Sequence, residues 1–513
     1  MTIAVSMQAI SKRFGAVQAN RAVNLAVAAG TAHGIVGENG AGKSTLMAIL
    51  YGFYQADSGS IQIDGQPVRI TGSAQAIALG IGMVHQHFML VDTLSALDNV
   101  MLGAEPSALL HKAESVVRTR LLELMQATGL HVDLDTLVAD LPVGDRQRLE
   151  ILKALYRGAK ILILDEPTAV LTPQETEQLF GVLSLLRSQG TTILLITHKL
   201  KEVMRLCDRV TVMRGGRVVQ EAAIADTSVE QLAEAMVGRK VNMGRQGDSG
   251  TQAGPVLMQA SGLVVRDALK VTRLQGVDIA LRGGEIVGVA GVSGNGQSEL
   301  LEVLSGLLAP SAGELRIGDR RFDATSSGTW LDPRTARALG VAHVPEDRHA
   351  RAMVMSFGAW ESAVLGYEGL PEFSRQGWMR HGRMRNATAQ MMDRYDVRPQ
   401  DTRLVCAKFS GGNQQKLVLA RELGQLPKVL LVGQPTRGVD IGAIEFIYGR
   451  LRALRDAGCA VLVVSSELDE ILALADRVIV MNQGRITGEL PIDACTEARI
   501  GMLMVGERVA EAV

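Results

Sequence analysis

The chain has 513 residues, a formal net charge of −1, and 47% hydrophobic and 21% charged residues. That length accommodates two or more domains with full-sized cores, and the balanced charge excludes a bulk electrostatic attraction to nucleic acid or anionic lipid. The four cysteines, Cys207, Cys406, Cys459 and Cys495, have no CxxC spacing, which argues against structural zinc or a disulfide framework and fits a reducing cytosol.

In chain order, the opening MTIAVSMQAISKRF lacks the apolar core of a signal peptide. No later run approaches the roughly 20 apolar residues a membrane span requires, so any membrane role is expected to come through a partner. TAHGIVG (31–37) predicts a short buried strand, and KSTLMAILYGF (43–53) has helical periodicity. The stretch from about 88 to 158 predicts helices, for example AESVVRTRLLELMQATG (113–129), and reads as an inserted helical subdomain. KILILDEP (160–167) and TTILLITH (191–198) are continuous apolar runs, as expected of strands buried on both faces of a parallel sheet. VNMGRQGDSGTQAG (241–254), glycine-rich and polar, reads as a linker.

Beyond that linker the pattern repeats. Gly30, Gly37 and Gly59 match Gly284, Gly291 and Gly313 at a shift of 254, and DRVTVMRGGRV (208–218) matches DRVIVMNQGRI (476–486) at a shift of 268. The expected organisation is therefore a first domain over 1–240, a linker over 241–254 and a second domain over 255–508. Alternating strands and helices make each an α/β layered domain.

The chemistry-bearing residues fall at fixed places in this repeat. GENGAGKST supplies Gly37, Glu38, Asn39, Gly40, Ala41, Gly42, Lys43, Ser44 and Thr45. Its glycines let backbone N–H groups turn inward around phosphate oxygens, Lys43 reaches terminal phosphates, and the Ser44 hydroxyl suits Mg²⁺. The following helix points its positive end at the anion. A glycine-rich turn without a ligand is the plain alternative. Asp165 and Glu166 end an apolar run, where the first carboxylate can hold the Mg²⁺ shell and the second can orient or deprotonate water. His198 ends the next run, in reach of the same chemistry, although a lone histidine there is commonly a core residue. Gln86, in GMVHQHF, is placed to sense the γ-phosphate and Mg²⁺, while His85 and His87 form only a weak ligand pattern. Phe14 can stack on a purine or lie in the core. FSGGNQQK (409–416) offers Ser410, Gly411, Gly412 and Asn413 at a helix start suited to phosphate. Its counterpart LPVGDRQR (141–148) has Pro142 and Val143 at the positions of Ser410 and Gly411, and a proline donates no hydrogen bond.

In this order, and twice, these motifs resemble the ATPase subunits of ATP-binding cassette transporters across nearly the whole chain. GENGAGKS looks like that family's Walker A, ILILDEP its Walker B, FSGGNQQ its signature, Gln86 its Q-loop and His198 its switch histidine. The resemblance implies two tandem P-loop NTPase domains, each a mainly parallel sheet with an antiparallel β part and an inserted helical subdomain. It implies ATP hydrolysis with ATP and Mg²⁺, at the cytoplasmic face of the inner membrane. The implied partners are two integral-membrane permease subunits and an extracytoplasmic solute-binding protein, with no nucleic acid. Two fused cassettes without spans resemble importer subunits for simple sugars and nucleosides. GIGMVHQHFML (80–90), the altered signature and QPTRGVDIGA (434–443) resemble the nucleoside-type branch. The rival function is a soluble twin-cassette ATPase acting on ribosomes or DNA. Such factors carry a long charged linker and two intact Walker B glutamates, unlike the short polar linker and Gln434 found here.

The second copy is altered at nearly every chemical position. Gln297 stands for Lys43, Gly433 and Gln434 for Asp165 and Glu166, Ser466 for His198, Glu346 for Gln86, and Ala268 falls opposite Phe14. The family's head-to-tail pairing implies that the intact motifs of the first copy work with FSGGN of the second, while the altered ones meet LPVGD. At the D-loop position Thr172 ends the first copy's AVLT and Asp440 the second's RGVD, so Asp440 would serve the intact site. The expectation is one hydrolytic site and one degenerate site that at most binds nucleotide. A last basic stretch, SRQGWMRHGRMR (374–385), reads as a solvated helix face.

Overall fold

The computed structural model describes residues 2–15, 17–85, 88–104, 110–168, 171, 173–240, 253–292, 294–325, 330–439 and 441–506. Chain contacts divide it into two compact units, Met1–Val241 and Asn242–Val513. Most of the linker segment 241–254 lies outside the described residues.

The strands of the first unit are β1 (Ile3–Phe14), β2 (Val17–Ala28), β3 (Ala32–Gly37), β4 (Ser58–Ile63), β5 (Gln66–Val68), β6 (Ile81–Val84), β7 (Ile161–Asp165), β8 (Thr192–Ile196), β9 (Arg209–Arg214) and β10 (Arg217–Ala223). They form two sheets. One is antiparallel, in the order β2-β1-β4-β5. The other has the order β10-β9-β3-β8-β7-β6 and is parallel except at its β10 edge. Every residue of β3, β7 and β8 is buried. That explains their unbroken apolar sequence, since both sheet faces are covered. The crossovers place the C-terminal ends of β3, β7 and β8 side by side, so the loops after them converge.

The second unit repeats the plan with β11 (Val256–Arg266), β12 (Thr272–Arg282), β13 (Ile286–Ala290), β14 (Ala312–Ile317), β15 (Arg320–Asp323), β16 (Val341–Val344), β17 (Ser374–Arg375), β18 (Trp378–Met379), β19 (Val429–Gly433), β20 (Ala460–Val464), β21 (Arg477–Asn482) and β22 (Arg485–Pro491). Its antiparallel sheet runs β12-β11-β14-β15, and its larger sheet runs β16-β19-β20-β13-β21-β22. Each unit is thus an α/β domain with a mainly parallel core and an antiparallel β part.

The helix Lys43–Leu50 follows β3 and is held by Leu46, Met47, Ile49 and Leu50, which pack with Ile35, Ile163, Leu194 and Met213. Full burial of such side chains contributes about 1.5–3 kcal/mol each, which fixes the helix N-terminus against the strand ends. The helix stops at Leu50, short of the expected residue 53, because Gly52 turns the chain with φ +82°. Its counterpart Gln297–Leu304 packs Leu300, Leu301, Val303 and Leu304 against Val287, Val289, Leu431 and Leu462.

The inserted helical regions contain Ala96–Met101, Leu110–Thr128 and Val143–Tyr156 in the first unit. The second unit has Ala359–Ser362, His381–Arg394 and Gly411–Leu423. One expectation fails. The basic stretch 374–385 is not a single helix face. Ser374 pairs with Met379 and Arg375 with Trp378 in a hairpin, and the helix starts only at His381. Gln376 and Gly377 at its turn have φ +52° and +81°, the left-handed pair that a two-residue hairpin turn requires.

Candidate nucleotide site

The loop after β3 is shaped by glycine. Gly42 has φ +97°, and a Cβ there would lie 2.3 Å from the Ala19 carbonyl oxygen; no other residue fits. The loop closes with Ala41 N–H donating to Glu38 O at 3.0 Å. Lys43, 6% exposed, arches back over it and donates from Nζ to Gly37 O at 2.6 Å and Glu38 O at 3.1 Å. Ser44 Oγ donates to Asp165 Oδ1 at 3.3 Å, joining the loop to the end of β7.

Glu166, the next residue, has φ +49°. A left-handed glutamate is strained, and here it sets its carboxylate beside the end of β8. His198 Nδ1 donates to Glu166 Oε1 at 2.9 Å. The two neighbouring carboxyls differ in acidity. Burial raises Asp165, with the Glu166 charge adding to that rise while Ser44 and Lys43 oppose it. Burial also works to raise Glu166, but the His198 hydrogen bond and charge, with Lys43 and Lys199, outweigh it and hold the carboxyl below its usual range. Glu166 is thus ionised at neutral pH, with its carboxylate oriented by the hydrogen bond from His198.

A carboxylate the sequence reading did not single out braces this pair. Glu202 is buried; its Oε1 accepts from Thr168 Oγ1 at 2.6 Å and its Oε2 from Thr197 Oγ1 at 3.3 Å. It ties the segment after Glu166 to the residue before His198. The repeat contained the signal: Glu470, Thr436 and Ser465 stand at the same places in the second copy.

Phe14 is 40% exposed, its ring 5.0 Å from Tyr54 and 5.5 Å from Lys12 Nζ. The core alternative for Phe14 is therefore set aside. His85 packs 5.3 Å from Phe53 and 5.9 Å from Tyr51, an aromatic cluster rather than a ligand position. Gln86, His87, Thr172 and Asp440 lie outside the described residues.

The second unit keeps the hydrogen-bond pattern and drops most of the charges. Gln297 Nε2 donates to Val292 O at 3.1 Å, the counterpart of the Lys43–Glu38 contact. Ser466 Oγ donates to Gln434 Oε1 at 3.1 Å, in place of the histidine–glutamate pair, and Gln434 keeps the left-handed backbone with φ +48°. Ser298 Oγ donates to Glu346 Oε2 at 2.8 Å. At the signature positions Ser410 caps the helix Gly411–Leu423, its Oγ accepting from Asn413 N at 3.5 Å and Asn413 Nδ2 at 2.8 Å. Pro142 caps Val143–Tyr156 without a side-chain hydrogen bond, and Val143 is exposed.

The sequence matches the family described as ABC transporter over residues 20–169 and 274–437. It is 41% identical over 507 residues to the nucleoside import ATP-binding protein NupA of Lactococcus lactis subsp. cremoris (strain MG1363), covering 99% of each chain. The chain belongs to the ABC transporter family. It is an ATP-binding, ATP-hydrolysing member with two cassettes in tandem. The guanosine import ATP-binding protein NupO of Bacillus subtilis (strain 168) is also 41% identical, over 512 residues, covering 100% of this chain and 99% of that one. Among solved structures, the archaeal ribosome recycling factor aABCE1 in complex with the stalk protein aP1 aligns over 94% of this chain and 90% of its own. It has a TM-score of 0.62 and 18% identity, a likeness of fold alone. Within the ABC framework the first cassette carries a charged, hydrogen-bonded set around its Walker loop, and the second carries neutral replacements at three of those positions.

Proposed function

We propose that this chain is the energy-coupling ATPase of an importer for nucleosides or simple sugars, with nucleosides the first candidate. It would sit at the cytoplasmic face of the membrane, working with two integral-membrane permease subunits and an extracytoplasmic solute-binding protein. The observation that carries this reading is full-length identity of 41% to two import ATP-binding proteins whose names specify nucleoside and guanosine. Among the described residues no helix is long and apolar enough to cross a membrane, which fits a subunit that relies on membrane partners.

Turnover is assigned to the first cassette. Gly37 to Thr45 would cradle the phosphates with backbone N–H groups, and Lys43 would lie against the terminal ones. Phe14 offers an exposed ring face for the purine. The hydroxyl of Ser44 and the carboxylate of Asp165, 3.3 Å apart, are the donor types a hard cation takes, and with Gln86 they would hold Mg²⁺. Bound there, the ion would neutralise charge on the phosphoryl oxygens. Glu166 orients the attacking water and accepts its proton, and His198 holds the Glu166 carboxylate in place. Ser410, Gly411, Gly412, Asn413 and Asp440 are assigned as the signature and D-loop residues that serve the hydrolysed nucleotide.

The test is solute-stimulated turnover of the whole transporter. The chain, purified with its permease and binding protein and placed in vesicles, is expected to hydrolyse ATP faster when nucleosides are supplied than when ribose or glucose is. Stimulation by a sugar with none by any nucleoside would overturn the nucleoside assignment. No stimulation by either class would overturn the importer reading.

A further inference from the structure

We propose that the first cassette carries a further anion site, away from its nucleotide loop, for a small soluble molecule bearing two or more phosphate groups, held by Arg13, Arg21 and Arg217. The inference goes beyond the importer reading and does not rest on it.

Four observations carry it. First, three guanidiniums come to one place from three strands. Arg13 on β1, Arg21 on β2 and Arg217 at the start of β10 line a cavity of about 990 Å³, with Gln18, Asn24 and Glu221 among its other walls. Second, the two copies of the fold differ here by the loss of an acceptor. Gln275 and Arg485 are the counterparts of Arg21 and Arg217, and the backbone holds both pairs alike: Arg21 N–H donates to Gly216 O at 2.7 Å, and Gln275 N–H to Gly484 O at 2.8 Å. In the second cassette Arg485 Nε donates to Gln275 Oε1 at 2.9 Å. In the first, a guanidinium stands where that amide accepts. Among the described residues neither the Arg21 nor the Arg217 side chain has a hydrogen-bond or ion-pair partner. Third, an acid has gone as well. Asn24 Oδ1 accepts from Ala9 N–H at 2.8 Å, in the place where Asp278 Oδ1 accepts from Gly262 N–H at 2.8 Å. The carboxylate that remains on the lining, Glu221, bonds to neither arginine, whereas its counterpart Glu489 accepts from Arg477 Nη1 at 2.7 Å. Fourth, the cavity is separate from the ring assigned to the purine. Arg13 lines it, while Lys12 and Phe14 on either side of Arg13 reach Asp57 and Tyr54 instead, as alternation along a strand requires.

The charge balance names the ligand class. The lining holds three arginines against one glutamate, and a guanidinium cannot shed its proton to relieve the repulsion. An anion of at least two charges is needed to offset that excess. Guanidinium forks take phosphate oxygens in pairs, so arginines converging from separate strands match a ligand whose oxygens lie on more than one phosphorus.

The experiment uses the full chain carrying Lys43→Ala, which weakens phosphate binding at the nucleotide loop, with inorganic pyrophosphate as the probe in calorimetric titrations at fixed ionic strength. Pyrophosphate is expected to bind this chain. Adding Arg21→Gln rebuilds in the first cassette the glutamine–arginine pair of the second, so the fold should hold, with a melting temperature no lower than before. Pyrophosphate affinity should nevertheless fall on the order of tenfold. Glu221→Gln, which removes the opposing charge, should tighten binding. In an otherwise native chain Arg21→Gln should leave ATP turnover at the native rate. Pyrophosphate affinity unaltered by both Arg21→Gln and Arg217→Gln would overturn the proposal. So would capture of the chain by phosphatidylglycerol vesicles without any binding of pyrophosphate, the mark of a lipid-facing patch. Loss of ATP turnover in Arg21→Gln would place Arg21 in the nucleotide site and overturn it equally.

Discussion

Between the two cassettes the side-chain chemistry changes while the local hydrogen-bond pattern is kept. Lys43 and Gln297 donate to equivalent loop carbonyls, Glu38 O and Val292 O; Glu166 and Gln434 share a left-handed backbone and accept from His198 and Ser466, two residues past the ends of β8 and β20. What differs is the capacity to carry charge or take a proton. Glu166→Gln is therefore the cleanest probe of the hydrolytic site. It should keep the fold and the left-handed turn, since a glutamine already occupies that conformation at 434. It should lower ATP turnover by about 10²–10⁴-fold, the typical contribution of a positioned general base, while nucleotide binding survives. Phosphate release and nucleotide binding measured on one preparation check this, and substantial turnover in the variant would remove Glu166 from the role of base. Lys43→Ala should behave differently. It deletes a charged hydrogen-bond donor worth about 1.5–3 kcal/mol, so binding itself weakens, which titration with a fluorescent nucleotide reads directly.

At the level of elements, the signature helices differ at their caps. Ser410 Oγ accepts from Asn413, whereas Pro142 offers no hydroxyl. Ser410→Ala should cost about 1 kcal/mol of stability through the lost cap, seen as a lower melting temperature of the full chain, and should also depress ATP turnover. Turnover unaffected by this change would mean the segment is a cap and nothing more. Converting the second cassette with Gln297→Lys, Gly433→Asp and Gln434→Glu should give no gain in turnover. A Cβ at position 433 would lie 2.4 Å from Glu346 Cγ, and Ser466 still lacks an imidazole; a large gain would show that the strand-end frame tolerates the intact set. These cases also mark what the sequence could reveal. The strands, the phosphate loop and the helical insert were legible because apolar periodicity and glycine spacing are local properties. The Glu346–Gly433 exchange was not. A glutamate at a glutamine position and a glycine at an aspartate position read as two losses until the fold sets them against each other. The hairpin at 374–379 was missed because Arg375 and Met379 favour helix, and only the left-handed pair Gln376 and Gly377 overrides that preference.

Among the described residues the duplication has kept a framework that the changes at Gln297, Gly433, Gln434 and Ser466 left alone. Glu202 and Glu470 occupy matching places behind the strand-end loops, both buried, one beside Thr168 and Thr197 and the other beside Thr436 and Ser465. Retention of the carboxyl in the cassette where Gln434 stands for Glu166 marks it as part of the frame. Burial pushes Glu470 up to about 7, with the Ser465 and Thr436 hydroxyls pulling it back and the Glu467 charge adding to the rise. The consequence for stability has a definite sign. The folded chain holds this proton more tightly than the unfolded chain, whose carboxyl titrates at its ordinary value of 4.5. Below that value both states are protonated and the contribution is complete. Between there and about pH 7 the unfolded state has released a proton that the native state retains, so stability falls as pH rises. Above that window both states are ionised, and the native state bears a buried charge. Glu470→Gln, neutral throughout, is expected to match the native protein in melting temperature near pH 5 and to exceed it by a margin that opens through this window. Calorimetric unfolding of the full chain across the pH range checks this. A margin that is flat with pH, or that closes as pH rises, would show that Glu470 is ionised in the folded protein and that its hydroxyl partners outweigh its burial.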